Sequence, residues 1–584
     1  MKNGFVRDEM RTGFQRAGET DIPKKHDDVD IPERHTATRR LCAGTYLDRE
    51  FRQRLLRDIY NSRERRIAPS YGYDLVQVLR HAWRAWWLEL ARDAVAVALF
   101  VAAVLTTPWG TLLTVGLLAM GYALRACWRI LVEAGRMLLE RKSFDHLRGL
   151  RVRAKLVAGG LLGSVIVVGG TVFAMLLNLE GSRLRDDLVQ AGLLGTLFVL
   201  LFAVSGIVRQ WQLDRLHNPS AVKSDPRSRR LRTLRMQQDH PVTVYSGYRP
   251  FVGSGLEVHR WSFAQRIIRK REIGQDRDEE FPQSQPPFTT KKMVQHLKES
   301  IQHLASATHS ETRLPGLTVR DRVFIDGMYV NEVPKDLLDS SSPSSTTLGN
   351  VMEQPREEMR HHIECQVIAW DGELITTVFV HISLQGKTLY VEFSTYALLP
   401  TPPPFRIIDE VGGTGPKAAL RMARQGMSEL SDVLHAPRQL LAAPKHLVTA
   451  YWAQRGTKEE RNTKENGKRR DIGAQISARE IAEDSIDNDP EKVSAPRRVR
   501  RDAGETSYFQ FFDVAQHSKI IERRLLAAIE EFLKTNEVDT SEFAQRAEAI
   551  LNYGMMNIGG GTNIIGGDMN TGYKPSVSGA APAE

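Results

Sequence analysis

Between Ala94 and Val208 the chain changes character: long apolar stretches replace the charged, mixed pattern found on either side. Ala94–Leu124 carries no charge, but Pro108, Trp109 and Gly110 interrupt it where a helix cannot run on smoothly. This predicts a tight hairpin, with one span from about Ala85 to Leu105 and a second from about Trp109 to Ala126. The first apolar core is short for a bilayer that needs about 20 residues. It borrows Ala85–Leu90, which puts Trp83, Trp86 and Trp87 in an interfacial belt. Glu89, Arg92 and Asp93 then fall near the headgroups, where Arg92 can snorkel. Leu156–Leu179 and Leu188–Val208 are uncharged and long enough to cross, separated by the charged Glu180–Asp187. Four apolar runs in two hairpins with charged flanks argue against buried helices of a large soluble protein. The expectation is an α-helical membrane bundle of four spans, 85–208, followed by a cytoplasmic α+β region.

Past Val208 the periods shorten. Leu213–His240 reads as a basic connector, and Pro241–Phe263 alternates apolar residues with Gly and aromatics, as short strands do. Thr290–Ala307 reads as an amphipathic helix capped by Thr290, with Met293, Leu297, Ile301 and Leu304 on one face. Asp321–Val330 reads as a strand and a turn. His362–Trp370, Glu373–Ser383 and Thr388–Leu398 alternate with period two, joined by Asp371–Gly372 and Gln385–Gly386. Asp-Gly between alternating runs is a hairpin cue, so a three-stranded antiparallel meander is expected, with Ile363, Cys365 and Val367 on one face. Leu399–Phe405 ends the sheet as a stiff extended segment. Lys417–Arg455 reads as helical with breaks at Pro437 and Pro444. A C-terminal helical pair follows: Asp513 to about Lys534, then a helix opened by the capping box Asp539–Glu542. Val514, Ser518, Ile521, Leu525, Ala528 and Phe532 form a seam. That seam can pack on the sheet domain, or serve self-association through Ile521, Leu525 and Phe532.

The domain plan is a disordered arm over 1–40, a basic juxtamembrane region over 41–84, the spans over 85–208 and a basic connector over 209–240. The α+β domain takes 241–455, a charged disordered linker 456–506, the helical hairpin 507–552 and a Gly/Asn-rich tail 553–584. In the tail, Gly554, Gly560, Gly566 and Gly572 recur every six residues, and Asn557–Ile558 repeats as Asn563–Ile564. Such a period suits β-solenoid coils. Asn ladders could stack these segments between chains, so Asn557, Ile558, Asn563 and Ile564 are further self-association candidates; a disordered tail is the plainer alternative.

The net charge of +10 is compatible with nucleic acid or with a membrane surface. Its placement decides. Arg125–Lys155 holds nine Lys/Arg against three Asp/Glu, Glu180–Asp187 holds two against three, and Arg39–Arg66 holds nine Arg. The basic segments fall on one side, which places both termini in the cytoplasm and the chain in the plasma membrane, facing an anionic leaflet. No nucleic-acid motif is present. The three cysteines, Cys42, Cys127 and Cys365, are far apart and support no disulfide framework. The polar N-terminus is no signal peptide.

The spans over 156–179 and 188–208 contain no ionisable residue, which favours an anchor over a transport path. Gly159 and Gly163, with Gly192 and Gly195, allow close helix packing, within the bundle or between copies as a homo-oligomer. Gly412–Leu420 is not a phosphate loop: Pro416 lacks the N–H a phosphate needs and Ala418 replaces the metal-binding hydroxyl. Gly253–Gly255 lacks a full dinucleotide fingerprint. His361, His362 and Cys365 begin a strand, where adjacent side chains point to opposite faces, and no second pair completes a metal site. His381 reads as structural and Cys365 lacks a nucleophile signature. No catalytic, metal or cofactor residue is assigned.

Tyr245–Phe263, Leu314–Gly327, the meander, "YFQFFDVAQHSKIIERRLLAAIEEFL" (Tyr508–Leu533) and the Gly-rich end together resemble a group of uncharacterised multi-span membrane proteins of high-GC Gram-positive bacteria. That resemblance carries no activity. The tail is similar to the Gly/Asn amyloid-signalling tags of defence proteins. The function these readings favour is a membrane-anchored cytoplasmic scaffold or signalling component with unknown protein partners. A transporter or channel subunit, and a membrane-tethered enzyme, are the alternatives.

Overall fold

The structure is a computed structural model. It describes residues 34–106, 108–139, 145–178, 181–216, 228–269, 286–306, 313–339, 343–354, 356–409, 415–429, 436–455, 471–487 and 508–553. Its first elements are α1 (Arg34–Leu47) and α2 (Arg49–Arg54), the latter running into a π-helical turn over Leu55–Tyr60. Asp48 separates them because its carboxylate accepts from the Phe51 N–H at 3.0 Å and caps α2. Four long helices follow: α3 (Leu75–Thr106), α4 (Pro108–Leu139), α5 (Asp145–Asn178) and α6 (Gly181–Leu216). Helix α7 (Arg229–Gln238) leads to the sheet.

The four-span bundle is corrected. Among the described residues two helices are long and apolar enough to cross a membrane, Trp109–Val132 in α4 and Val189–Leu216 in α6. The α3 stretch fails because its first half is not membrane material: Leu75, Val78, Leu79 and Ala82 are buried in a helical core with Leu41, Phe51, Leu213 and Leu231. Arg92 and Asp93 are buried beside them as an ion pair 2.9 Å apart. What remains before Thr106 is too short. In α5 the apolar helix is Val157–Phe173, also short of a span. Unlike typical core helices, the two candidate spans are largely exposed, with 14% and 22% of their most apolar windows buried.

A six-stranded mixed sheet, rather than three strands, forms the second layer, in the order β1-β3-β4-β5-β6-β2. Its strands are β1 (Val242–Tyr245), β2 (Leu256–Arg266), β3 (Leu317–Asp326), β4 (Met359–Ala369), β5 (Leu374–Gln385) and β6 (Thr388–Leu398). β1 and β3 are parallel and the other pairs antiparallel. The β4–β5 turn is made by Trp370, Asp371 and Gly372, all at positive φ. Asp and Gly tolerate that region, which is why the Asp-Gly signal marks the turn. In register, Ile363 faces Val380 and Val380 faces Phe393, so the period-two apolar residues of three strands line one face.

That face is covered by α8 (Thr290–Ser306), α14 (Tyr508–Thr535) and α15 (Ser541–Tyr553), with Met293, Leu297, Ile301, Leu525 and Phe543 fully buried against it. Thr289, one residue before the expected cap, accepts from the Lys292 N–H. Glu522 of α14 is fully buried and accepts from Trp261 Nε1 at 2.6 Å and Lys519 Nζ at 2.7 Å, which locks α14 to β2. Short helices α9 (Asp336–Asp339) and α10 (Ser345–Glu353) flank β3 and β4 in sequence, and α11 (Pro416–Ser428), α12 (Ala436–Arg455) and α13 (Ala478–Asp487) follow the sheet. Pro444 lies inside α12, which continues through it.

Two other expectations change. Arg34–Arg40 belong to α1, where Arg40 pairs with Glu373 at 2.9 Å and Asp409 at 2.7 Å. Helix α13 falls within the segment expected as linker. Its fully buried Arg479 donates to the carbonyls of Gly372, Glu373 and Leu399, tying α13 to the sheet. Phe393, fully buried where β6 meets β2 and α14, stacks on Trp261 with ring centroids 5.1 Å apart. We expect Phe393→Ala to lower stability by about 3–5 kcal/mol, read as a lower thermal midpoint of the detergent-solubilised protein; an unchanged midpoint would contradict this packing.

Candidate functional site

Helix periodicity builds one cavity. On α3, Leu75, Val78, Leu79 and Ala82 face the helical core, so Gln77, Arg80, His81 and Arg84 share the opposite side. On α12, Leu447, Ala450, Tyr451 and Gln454 share a face by the same spacing. The first turn of α7, with Ser228 at its N-cap and Leu231, closes the third side. Tyr60, at the end of the π-turn, Trp83 and Trp87 complete a cavity of about 620 Å³. That volume is in the range of small-molecule and headgroup sites.

The walls are largely aromatic, and the charged groups among them are basic. Trp83 packs edge-on against Tyr60 at 5.2 Å and against Trp86 at 5.3 Å. Among the described residues no Asp or Glu lines the cavity, while Arg80 and Arg84 do. Arg84 donates to Gln212 of α6 at 3.3 Å, which ties the cavity to the end of a candidate span. His81 Nδ1 lies 3.0 Å from the Tyr46 hydroxyl. Burial, then the Arg84 and Arg80 charges, push the His81 imidazole down to about 4, so it is neutral at pH 7. Two buried donor-capable atoms have no partner: the Trp83 indole nitrogen and the Ser228 hydroxyl. Ser228 makes no side-chain cap bond to its own helix.

A second constellation lies where α6 meets α11. A Cβ placed on Gly206 would lie 2.2 Å from the Met422 carbonyl oxygen, and one on Gly426 2.4 Å from the Phe202 carbonyl oxygen. The two backbones touch because both residues lack side chains. Glu429 follows directly. It accepts from Arg209 at 2.6 and 2.8 Å and from Arg92 at 3.1 Å, so one carboxylate joins α3, α6 and α11. Burial alone would raise the Glu429 carboxyl, but hydrogen bonds and charge from Arg209, then Arg92, hold it below its usual value.

The residues singled out from sequence fall elsewhere. A Cβ on Gly159, Gly163 or Gly192 would meet nothing within 4 Å, and one on Gly195 would lie 3.9 Å from Thr114. Ile521, Leu525 and Phe532 are buried in the chain's own core beneath the sheet. Asn557, Ile558, Asn563 and Ile564 lie outside the described residues. His361 contacts Asp321 at 3.0 Å on the apolar side, and Cys365 is buried there among aliphatics. His362 and His381 occupy the opposite sheet face, their rings 5.0 Å apart, beneath Phe251, which stacks on Phe379 at 4.6 Å. Burial, with the neighbouring histidines, pushes the His362 imidazole well down, so this pair is neutral packing. The strongest geometric features, Arg80, Arg84, Ser228 and Glu429, carry no motif. The spacing 77-80-81-84 was the one signal for the cavity, and the surrounding tryptophans read as a bilayer belt.

Residues 260–569, just over half of the chain, match the family described as an AbeC-like domain. The match begins in β2 and takes in most of the sheet and helices α8–α15; the cavity and the candidate spans precede it, apart from the α12 wall. No curated protein and no solved structure matches the chain.

Glu429 supplies a prediction with a sign. Its folded value lies below the ordinary carboxylate value of about 4.3. It therefore contributes stability above that pH, which is lost as pH falls through the folded value. We expect Glu429→Gln to lose on the order of 2 kcal/mol near neutral pH and to flatten the acid limb of the stability profile. A variant with the native acid limb would contradict this role.

Proposed function

We propose that this chain, which belongs to the AbeC-like domain family, is a membrane-anchored scaffold that holds its α+β domain rigidly at the cytoplasmic bilayer surface. One observation carries the reading: α6 is both anchor and core. Val189, Leu193, Leu200 and Val204 are more than half exposed along its outer part, whereas Leu213 and Leu216 are buried in the domain. An exposed apolar surface on that scale needs lipid or protein cover. Helix α11 is sealed to α6 through Gly206 and Gly426, and Glu429 holds both Arg209 of α6 and Arg92 of α3, so the three helices brace one another.

The orientation rests on charge. Thr114 of α4 donates to the Ala191 carbonyl of α6 at 3.4 Å, so the two helices touch there. The C-terminal end of α6, with Arg209 and Arg215, falls on the domain side, where Leu213 and Leu216 are buried. A basic end faces the cytoplasm under the positive-inside rule. On α12, Leu441, Val448 and Trp452 share an exposed face beyond the cavity, which suits contact with the bilayer surface.

The expected result is that the full chain stays in the membrane pellet after alkaline carbonate extraction. Reconstituted in liposomes it should pass no ions above empty vesicles. Release into the supernatant would contradict anchoring, and reproducible flux would contradict the scaffold reading in favour of a channel or transporter.

A further inference from the structure

We infer that the cavity between α3, α7 and α12 binds a phosphate-bearing ligand, held by Arg80 and Arg84 opposite the first turn of α7. The inference rests on the anchoring reading, because Arg84 is joined to Gln212 of α6 and the cavity therefore opens where that helix leaves its apolar stretch. Three independent features converge on the same chemistry. Among the described residues the wall carries two guanidinium groups and no carboxylate, and His81 adds no charge at neutral pH. Guanidinium matches phosphate oxygens bidentately. The ten-residue helix α7 points its N-terminal turn at the same space, through Ser228 and Leu231. The first backbone N–H groups of a helix lack intrahelical partners and favour an anion.

The third feature is two buried groups with nothing to bond. The Ser228 hydroxyl does not cap its helix, and the Trp83 indole N–H is enclosed among Tyr60 and Trp86 without an acceptor. A buried donor left unmade costs on the order of 1–3 kcal/mol. Rotation of the Trp83 and Ser228 side chains toward a bound phosphate would give these donors an acceptor. The rest of the lining is aromatic and aliphatic, with Trp87 and Tyr451 about half exposed at the rim. A ligand with an anionic head and an apolar body, such as a glycerophospholipid at the bilayer surface, fits that division; a free phosphate monoester shares the head and lacks the body.

The full chain in nanodiscs tests this with two arms. Discs of phosphatidylcholine doped with phosphatidylglycerol report lipid retention by native mass spectrometry. Glycerol phosphate, added to protein in pure phosphatidylcholine discs, reports a soluble source. We expect co-purifying phosphatidylglycerol in the wild type and about tenfold weaker retention in Arg84→Gln and in Arg80→Gln, with Ser228→Ala weakened in the same direction. Glycerol phosphate binding that is lost in the same variants supports the phosphate site and assigns it to a soluble ligand. Binding of neither probe, or equal binding by wild type and all three variants, overturns the site. Carbonate extraction of each variant separates the two claims: loss from the pellet counts against anchoring, whereas retention in the membrane without phosphate preference counts against the cavity.

Discussion

The close approach of α6 and α11 is the constraint on which the rest depends. Gly206 and Gly426 remove the side chains that would keep the helices apart, and Glu429 then reaches both Arg209 and Arg92. Arg92 is itself held by Asp93 at 2.9 Å and lies over the Phe202 ring at 4.8 Å. A cation buried this way needs its partners in place, because an unpaired buried charge costs several kcal/mol. The ion cluster therefore fixes the angle at which α3 leaves the domain. That angle in turn sets the cavity, since Arg80 and Arg84 lie two to three turns earlier on the same helix.

The sheet contributes rigidity by a different route. One face is aliphatic and aromatic beneath α8, α14 and α15. The other is buried as well, although it carries Arg322, Glu364, Gln366, Thr377 and Ser394. Arg322 pairs there with Glu364, donates to the His240 carbonyl at 2.6 Å and lies over the Tyr71 ring. Such a face resists sliding, because a shift of register would separate the buried Arg322 from Glu364. The Tyr71 and Phe251 segments that cover it are far apart in sequence, so the domain closes only when N-terminal and central parts of the chain meet.

The meander was legible because its signals are local: period-two alternation, and an Asp-Gly pair suited to positive φ at Asp371 and Gly372. The other half of the sheet was not. β2 pairs with β6 across more than a hundred residues and β1 lies parallel to β3, relations that no short window records. Helix α3 misled for a physical reason. A helix that is apolar on one side and rich in Trp and Arg on the other has the composition of a bilayer edge, yet here its apolar side is covered by α1 and α6. The seam over Val514–Phe532 had the right spacing for two fates; in the fold, Ile521 and Leu525 are enclosed by the sheet. Glu429 stands alone in sequence and becomes central only when α3, α6 and α11 converge on it.

If domain and anchor are one packed body, α11 is a core helix, although it touches the domain through little more than its α6 face. Hydrogen exchange of the full chain in nanodiscs measures this directly. The amides from Met422 to Gly426 are predicted to exchange as slowly as those of β5, since the α6 backbone covers them. Exchange of that segment at the rate of an unstructured peptide, while β5 stays protected, would contradict the account.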